Sequence, residues 1–238
     1  VLGTAKGWRL CLVGLFLRRK AEDMGKRIIL ADPRGFCAGV DRAILTVQTI
    51  LKSVPQDGEH GDLPPVYVRR QIVHNRHVVE ELASQGAVFV EELDEIPDAA
   101  AEANVPVVFS AHGVSPQVKA EAQRRGLNVI DATCPLVGKV HRGGLRFVRE
   151  GCEIVYIGHL GHDEAVGVVG ESPEHVHLTE HEGDVAELDF SPETNLVLLT
   201  HTTLSVGETT DTIAALGKRF SRIAMPPRSD IGYGSSYS

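Results

Sequence analysis

Two cysteines and several histidines stand where an α/β chain would place chemistry. Cys37 lies in the turn Asp32-Pro33-Arg34-Gly35-Phe36-Cys37-Ala38-Gly39-Val40-Asp41, and Cys134 in Asp131-Ala132-Thr133-Cys134-Pro135-Leu136-Val137. Each turn separates an apolar run from a helix-like segment. A thiol at the start of a helix meets the positive end of the backbone dipole, which favours thiolate, the form that binds iron or attacks an electrophile. Paired thiols in such turns point to a metal or cluster centre. In a similar setting further on, Ser229-Asp230-Ile231-Gly232-Tyr233 has glycine where a third cysteine would complete the series. The other cysteines are Cys11 and Cys152, and four in a chain of this length do not make a disulfide scaffold. Cys152 heads the run Glu153 to Ile157 and reads as a small residue beside a buried strand.

Polar groups recur after apolar runs. Val73-His74-Asn75, Ser110-Ala111-His112-Gly113, Gly158-His159-Leu160-Gly161-His162-Asp163-Glu164 and Thr200-His201-Thr202-Thr203-Leu204-Ser205 each follow one. In open α/β sheets, ligands bind beyond the carboxyl ends of the strands. Imidazole, hydroxyl and amide groups are the donors an oligophosphate requires. A single loop histidine is ordinarily just solvated, but recurrence after four strands argues for one shared site. Glu164, taken alone, reads as a surface carboxylate. Partly buried near a diphosphate it would instead keep its proton and could act as an acid.

The elements that must position these groups alternate. Expected strands are Arg27 to Ala31, Val66 to Arg69, Val107 to Ser110, Leu127 to Ile130, Glu153 to Ile157 and Leu196 to Leu199. Expected helices are Asp41 to Leu51, Asn75 to Ser84, Pro116 to Arg125, Lys139 to Glu150 and Glu208 to Phe220. Such alternation predicts βαβ units, and the unbroken apolar strands suit parallel sheets buried on both faces. Gln56 to Pro65 and Gly183 to Glu193 read as loops. A coarse repeat of strand, cysteine turn and helix divides the chain into an upstream extension (residues 1–23), a first α/β lobe (24–125), a second (126–222) and a remnant of a third (223–238).

Composition narrows the function. The 238 residues carry a formal charge of −8, which excludes general nucleic-acid binding, and 42% hydrophobic content supports a real core. The apolar run Leu10 to Leu17 is too short to span a bilayer, so no membrane role and a cytoplasmic location are expected. Zinc hydrolysis is disfavoured because Cys37 and Cys134 lack ligands at short structural spacing. A nucleotide-binding Rossmann unit is disfavoured because no Gly-x-Gly-x-x-Gly follows the first strand.

Taken together, Pro33-Arg34-Gly35-Phe36-Cys37-Ala38-Gly39-Val40-Asp41-Arg42-Ala43, Val73-His74-Asn75-Arg76, Ser110-Ala111-His112-Gly113-Val114-Ser115, the Cys134 turn, Gly161-His162-Asp163-Glu164 and Thr200 to Ser205 resemble the 4-hydroxy-3-methylbut-2-enyl diphosphate reductase family. The resemblance runs collinearly from about Arg27 to Tyr233. It implies an α/β protein of pseudo-repeated βαβ lobes, with parallel sheets around a central 4Fe–4S cluster. Cys37 and Cys134 match two cluster ligands, His74, His112 and His162 the residues on the diphosphate, Glu164 the proton donor, and Thr202 a residue that positions substrate or water. The implied reaction removes the hydroxyl of an allylic diphosphate, with electrons from a donor such as ferredoxin or flavodoxin. The third ligand falls at Gly232 and most of the third lobe is missing, so the resemblance implies impaired activity for this chain. The alternative expectation is an inactive diphosphate-binding remnant or interaction protein without a stable cluster.

Overall fold

The computed structural model describes residues 32, 34–53 and 63–225. The chain divides into two compact units, Val1–Gly35 and Phe36–Ser238, and every helix and strand named below lies in the second. The expected extension, the strand at Arg27 to Ala31 and the turn around Gly232 lie outside the described residues.

The elements run α1 (Ala38–Ser53), β1 (Val66–Arg69), α2 (Arg76–Ser84), β2 (Ala87–Val90), α3 (Asp98–Glu102), β3 (Pro106–Phe109), α4 (Pro116–Arg124), β4 (Asn128–Asp131), α5 (Pro135–Arg149), β5 (Glu153–Ile157), α6 (Asp163–Glu171), β6 (Val176–Thr179), β7 (Leu196–Thr200) and α7 (Val206–Arg219). The first sheet has the order β2-β1-β3-β4 and the second β6-β5-β7, with every pairing parallel. Successive strand residues face opposite sides. Val66, Val68 and Val108 therefore pack with Ala43, Val47 and Ile50 of α1, while Val107 and Phe109 meet Ala100 and Ala122 on the other face. In the second sheet Ile154 and Tyr156 pack on Val140 and Val168, and Val155 and Ile157 on Leu216.

Three expectations change. The strand expected to open the second lobe, β4, pairs with β3 in register Val107↔Val129 and belongs to the first sheet. The short crossover through α4 returns it beside its predecessor, so the second sheet begins only with β5. Ala224, assigned to the third-lobe remnant, instead bonds to β7: its N–H donates to Leu196 O at 2.8 Å, and Leu198 N–H donates to its carbonyl at 2.9 Å. Finally, a 3-10 turn over Glu182–Glu187, with Val185 buried, occupies part of the expected loop at 183–193.

Strands β2 and β6 and helix α6 escape sequence patterning. β2 and β6 are four-residue edge strands, and His177 interrupts the second. Helix α6, Asp163-Glu164-Ala165-Val166-Gly167-Val168-Val169-Gly170-Glu171, carries two glycines that lower its helix propensity. Packing explains them: a Cβ on Gly170 would stand 2.5 Å from Ser115 Cβ, so only glycine allows the close approach. Among the described residues no helix is long and apolar enough to cross a membrane.

Candidate active site

In both sheets the connections leave a central strand in opposite directions. β1 has β2 on one side and β3 on the other; β5 has β6 on one side and β7 on the other. Crevices at such switch points are where open α/β sheets bind ligands. The loops after β1 and β3 carry His74 and His112. Those after β5 and β7 carry His162, His201 and Thr202, and Glu164 lies in the first turn of α6, which His162 caps. The two crevices meet. Arg70, which follows β1 with the unusual φ of 55°, reaches Asp163 of α6 and also donates to Glu92 Oε1 at 2.8 Å. Backbone bonds extend each sheet into its loops. Ala111 N–H donates to Ile72 O at 3.1 Å and Cys134 N–H to Ala111 O at 2.8 Å, which joins the His74, His112 and Cys134 turns; His201 N–H donates to Ile157 O at 2.8 Å.

Four histidines converge. The His74 ring stacks on His112 at 4.1 Å, and His162 lies edge-on to His74, His112 and His201. His112 Nε2 is buried without a hydrogen-bond partner, an orphan that calls for a ligand or a moved side chain. Burial, then the neighbouring His74 and His162, brings its pKa down to about 4. Burial likewise lowers His162, with His74 adding to the effect against the pull of Asp163. Both rings are therefore neutral near pH 7.

Ring nitrogens of His74, His112 and His162 lie within 4.8 Å of one another, a spacing a metal ion could use. Hydrogen-bond partners assign a different role to His162. Glu164 N–H, which can only donate, points at His162 Nδ1 at 3.1 Å. The Nδ1 atom must then be bare, so the neutral ring carries its proton on Nε2. An Nε2–H is a donor for an anion, whereas a metal needs that nitrogen unprotonated. The cluster is better read as an anion site.

Glu164 is fully buried, with 0% exposure. Its carboxyl accepts from Thr202 N–H at 2.9 Å, Thr202 Oγ1–H at 2.7 Å and Tyr156 OH at 3.4 Å. Burial raises its pKa to about 7 against the opposing pull of those donors. Burial and then Glu164 push Tyr156 well above its ordinary value, so its phenol stays a donor. A carboxyl poised near 7 beside an anion pocket can hold and release a proton at working pH.

The thiols sit at adjacent helix starts. Cys37 precedes α1, and its Sγ accepts from Val40 N–H at 3.5 Å; Cys134 is the N-cap of α5. Both are free, Cys37 exposed and Cys134 half-buried. Cys134 Sγ lies against the backbone of Gly39, two residues from Cys37, in a space that a Cβ on Gly39 would overlap. Helices α1 and α5 therefore start earlier than the periodicity indicated, and their first turns bring the two cysteine motifs together. Two free thiols at adjacent helix starts, with glycine at position 39 leaving room for the Cys134 sulfur, fit two ligand positions of an iron–sulfur group.

A Gly39→Ala substitution separates this role from folding. Alanine favours the helix by up to about 1 kcal/mol, while the overlap requires Cys134 Sγ to swing to another rotamer and Cys134 Cβ, 3.1 Å from the new methyl, to give by a few tenths of an ångström. The melting temperature should move little. Alkylation of Cys134, followed by mass spectrometry, should change markedly, and iron retained after anaerobic reconstitution should drop. Unchanged alkylation and iron would mean that the Cys134 orientation is immaterial.

Every expected site residue among the described ones lies in this region: His74, His112, His162, Glu164 and Thr202 share one network, and beside it Cys134 lies against Gly39, two residues from Cys37. Sequence reasoning did not single out Arg70 or Tyr156, and it quoted Asp163 and His201 within its motifs without giving either a role of its own. Arg70 and Asp163 flank the loops already marked by histidines, which was the available signal. Tyr156 looked like an ordinary strand residue, and its contact with Glu164 exists only in three dimensions.

Residues 28–236 match the family model described as LytB protein. The chain belongs to this family. Among curated LytB relatives, it is 74% identical over 216 residues to the 4-hydroxy-3-methylbut-2-enyl diphosphate reductase of Bifidobacterium longum, covering 90% of this chain and 61% of that protein. It is 51% identical over 210 residues to the reductase of the same name from Mycobacterium ulcerans, covering 88% and 59%. Among solved structures, the E-1-hydroxy-2-methyl-but-2-enyl-4-diphosphate reductase of Plasmodium falciparum superposes with a TM-score of 0.77 at 38% identity, covering 86% of this chain and 60% of that one. The chain thus spans about three fifths of the length of these LytB relatives.

Proposed function

We propose that this chain forms the substrate-gripping and proton-donating part of a 4-hydroxy-3-methylbut-2-enyl diphosphate reductase acting in the cytoplasm. The observation that carries the reading is the buried Glu164, with its pKa near 7, in hydrogen-bond continuity with His162 and through it with His74. Reductive dehydroxylation consumes two electrons and two protons: the allylic C–O bond breaks, the oxygen leaves as water, and isopentenyl or dimethylallyl diphosphate remains. A 4Fe–4S group held by Cys37 and Cys134 would supply electrons, received from ferredoxin or flavodoxin, and a Lewis acid for the hydroxyl oxygen.

The chain's own residues account for the rest. His74 Nε2 and His162 Nε2 lie 2.9 Å apart and satisfy each other without ligand. A diphosphate oxygen replaces that bond and reaches the orphaned His112 Nε2 once the His74 ring unstacks. Thr202 then works as a switch. With Glu164 ionised, Thr202 Oγ1–H donates to it; with Glu164 protonated, that bond reverses and the Thr202 proton turns outward. A proton can thus move from a buried acid to the leaving hydroxyl without exposing the carboxyl to water.

Pyrophosphate, a substrate fragment, tests the binding half. An anion beside His112 and His162 raises their pKa values, and it raises that of Glu164 by like-charge repulsion. All three shifts have the same sign, so the protein should take up protons near pH 7, offset by any proton that pyrophosphate itself gives up. Titration calorimetry in buffers of different ionisation enthalpy reads the net of the two. Binding that does not strengthen as pH falls from 8 to 6, or no binding, would count against the anion site.

Gly232 supports a second reading. It cannot supply the third thiolate that the resemblance calls for, so we propose weak cluster retention and low turnover for this chain. Iron and sulfide content after anaerobic reconstitution, with turnover under a chemical reductant, decides between the two. A full complement with turnover supports the reductase. Pyrophosphate binding without iron supports a binding remnant.

A further inference from the structure

His201 is a buried residue to which the diphosphate reading gives no task. It is 2% exposed and stands between the two halves of the site. Its Nε2 lies 2.9 Å from His162 Nδ1 and 3.3 Å from Glu164 Oε2, and its Nδ1 lies 3.0 Å from Thr203 Oγ1. We propose that His201 is a positioning residue that fixes His162 as an Nε2–H donor toward the anion and holds it in register with the acid Glu164. The proposal deepens the diphosphate reading and rests on it.

The reason lies in proton placement. His162 Nδ1 already accepts from Glu164 N–H. A second donor directed at the same atom makes a proton there doubly unfavourable. His201 Nε2 faces only acceptors, His162 Nδ1 and a Glu164 oxygen, so in the neutral ring it must carry the proton. Its Nδ1 is then bare and accepts from the Thr203 hydroxyl. The ring stays neutral because burial, then His162, His159, His112 and His74, brings its pKa down to about 3. The order is therefore continuous: Thr203 O–H donates to His201, His201 N–H to His162, and His162 Nε2–H outward to His74 in the free chain or to a phosphate oxygen. Without His201, one 3.1 Å backbone contact alone would hold the His162 tautomer.

Each imidazole nitrogen reports protonation in long-range ¹H–¹⁵N spectra of histidine-labelled chain, with no ligand or metal present. In the unsubstituted chain His162 should show protonated Nε2 and bare Nδ1. His201→Leu should give a tautomer mixture at His162 and about tenfold weaker pyrophosphate binding, the worth of one neutral hydrogen bond. His201→Gln keeps an N–H within reach of His162 and Glu164, and should restore both. Thr203→Val, at an exposed position, should loosen the His201 tautomer and shift His162 the same way, and it serves if His201→Leu fails to fold. An unaltered His162 tautomer in His201→Leu and Thr203→Val, or no rescue by glutamine, overturns the proposal. Should the tautomer respond as expected while pyrophosphate binds to none of the chains, the positioning role stands and the diphosphate reading falls.

Discussion

Replacing Glu164 by glutamine should make the protein more stable at pH 8 while changing it far less at pH 4. The folded carboxyl titrates near 7, above its unfolded value of about 4.3. A group raised in this way contributes its full stability below the unfolded pKa and loses it as pH rises through the folded one. Each pH unit separating the folded and unfolded values is worth about 1.4 kcal/mol, so burying the ionised form costs on the order of 3 kcal/mol above pH 7. Glutamine never ionises. Its carbonyl can accept from Thr202 N–H and its amide can donate to Thr202 Oγ1, but the amide also faces the His201 N–H, which returns about 1 kcal/mol. The net gain of about 2 kcal/mol should raise the melting temperature at pH 8 by several degrees, shrinking as pH falls to 4. Turnover of the reconstituted chain should fall by about 10²–10⁴, since a carboxamide cannot supply the proton. A glutamine variant less stable than the parent at pH 8 would mean that the carboxyl is not held protonated by burial.

The acid side of the stability curve should belong to His112 and His201. Their folded pKa values of about 4 and about 3 lie below an unfolded value of 6.5. Stability from a depressed base is complete above the unfolded pKa and is lost as pH falls toward the folded one. Between about pH 6 and pH 5 the unfolded chain binds two protons that these buried rings refuse. Linkage makes that a slope of about 2.7 kcal/mol per pH unit, from which Glu164 subtracts about 1.4 over the same range. Urea unfolding should therefore show stability falling with acid by about 1.4 kcal/mol per pH unit from these three groups. The slope should steepen in Glu164→Gln and flatten by one proton in His201→Gln. Parallel curves for all three proteins would mean that the histidines are not buried neutral. Together the three groups make stability rise with pH up to about 7 and level off above it, at the pH where Glu164 can also exchange its proton.

Both expectations turn on burial, which marks the limit of what the sequence conveys. The histidine motifs were legible because parallel strands are continuous apolar runs, and the groups that follow such runs stand at carboxyl ends. That ground marked the four motifs, and the family resemblance picked His74, His112, His162 and Thr202 out of them. Edge strands β2 and β6 could not be found from their pattern, although the equally short edge strand β4 could; His177 interrupts the apolar run of β6. Helix α6 was hidden by Gly167 and Gly170, residues chosen for close approach to other elements and poor in helix propensity.

By itself, the sequence determined which chemical groups are available and at which strand ends they stand: two thiols at helix starts, imidazoles after four strands, and one carboxyl beside them. It also placed glycine at position 232. Only the tertiary structure decided which loops face one another. Sheet order is set by crossovers that local sequence does not encode, so β4 joined the first sheet and carried Cys134 to the His112 turn. Tertiary packing alone also turned Glu164 from an ordinary surface acid into one near neutrality, because the energy of a charge depends on the water that surrounding elements remove from it.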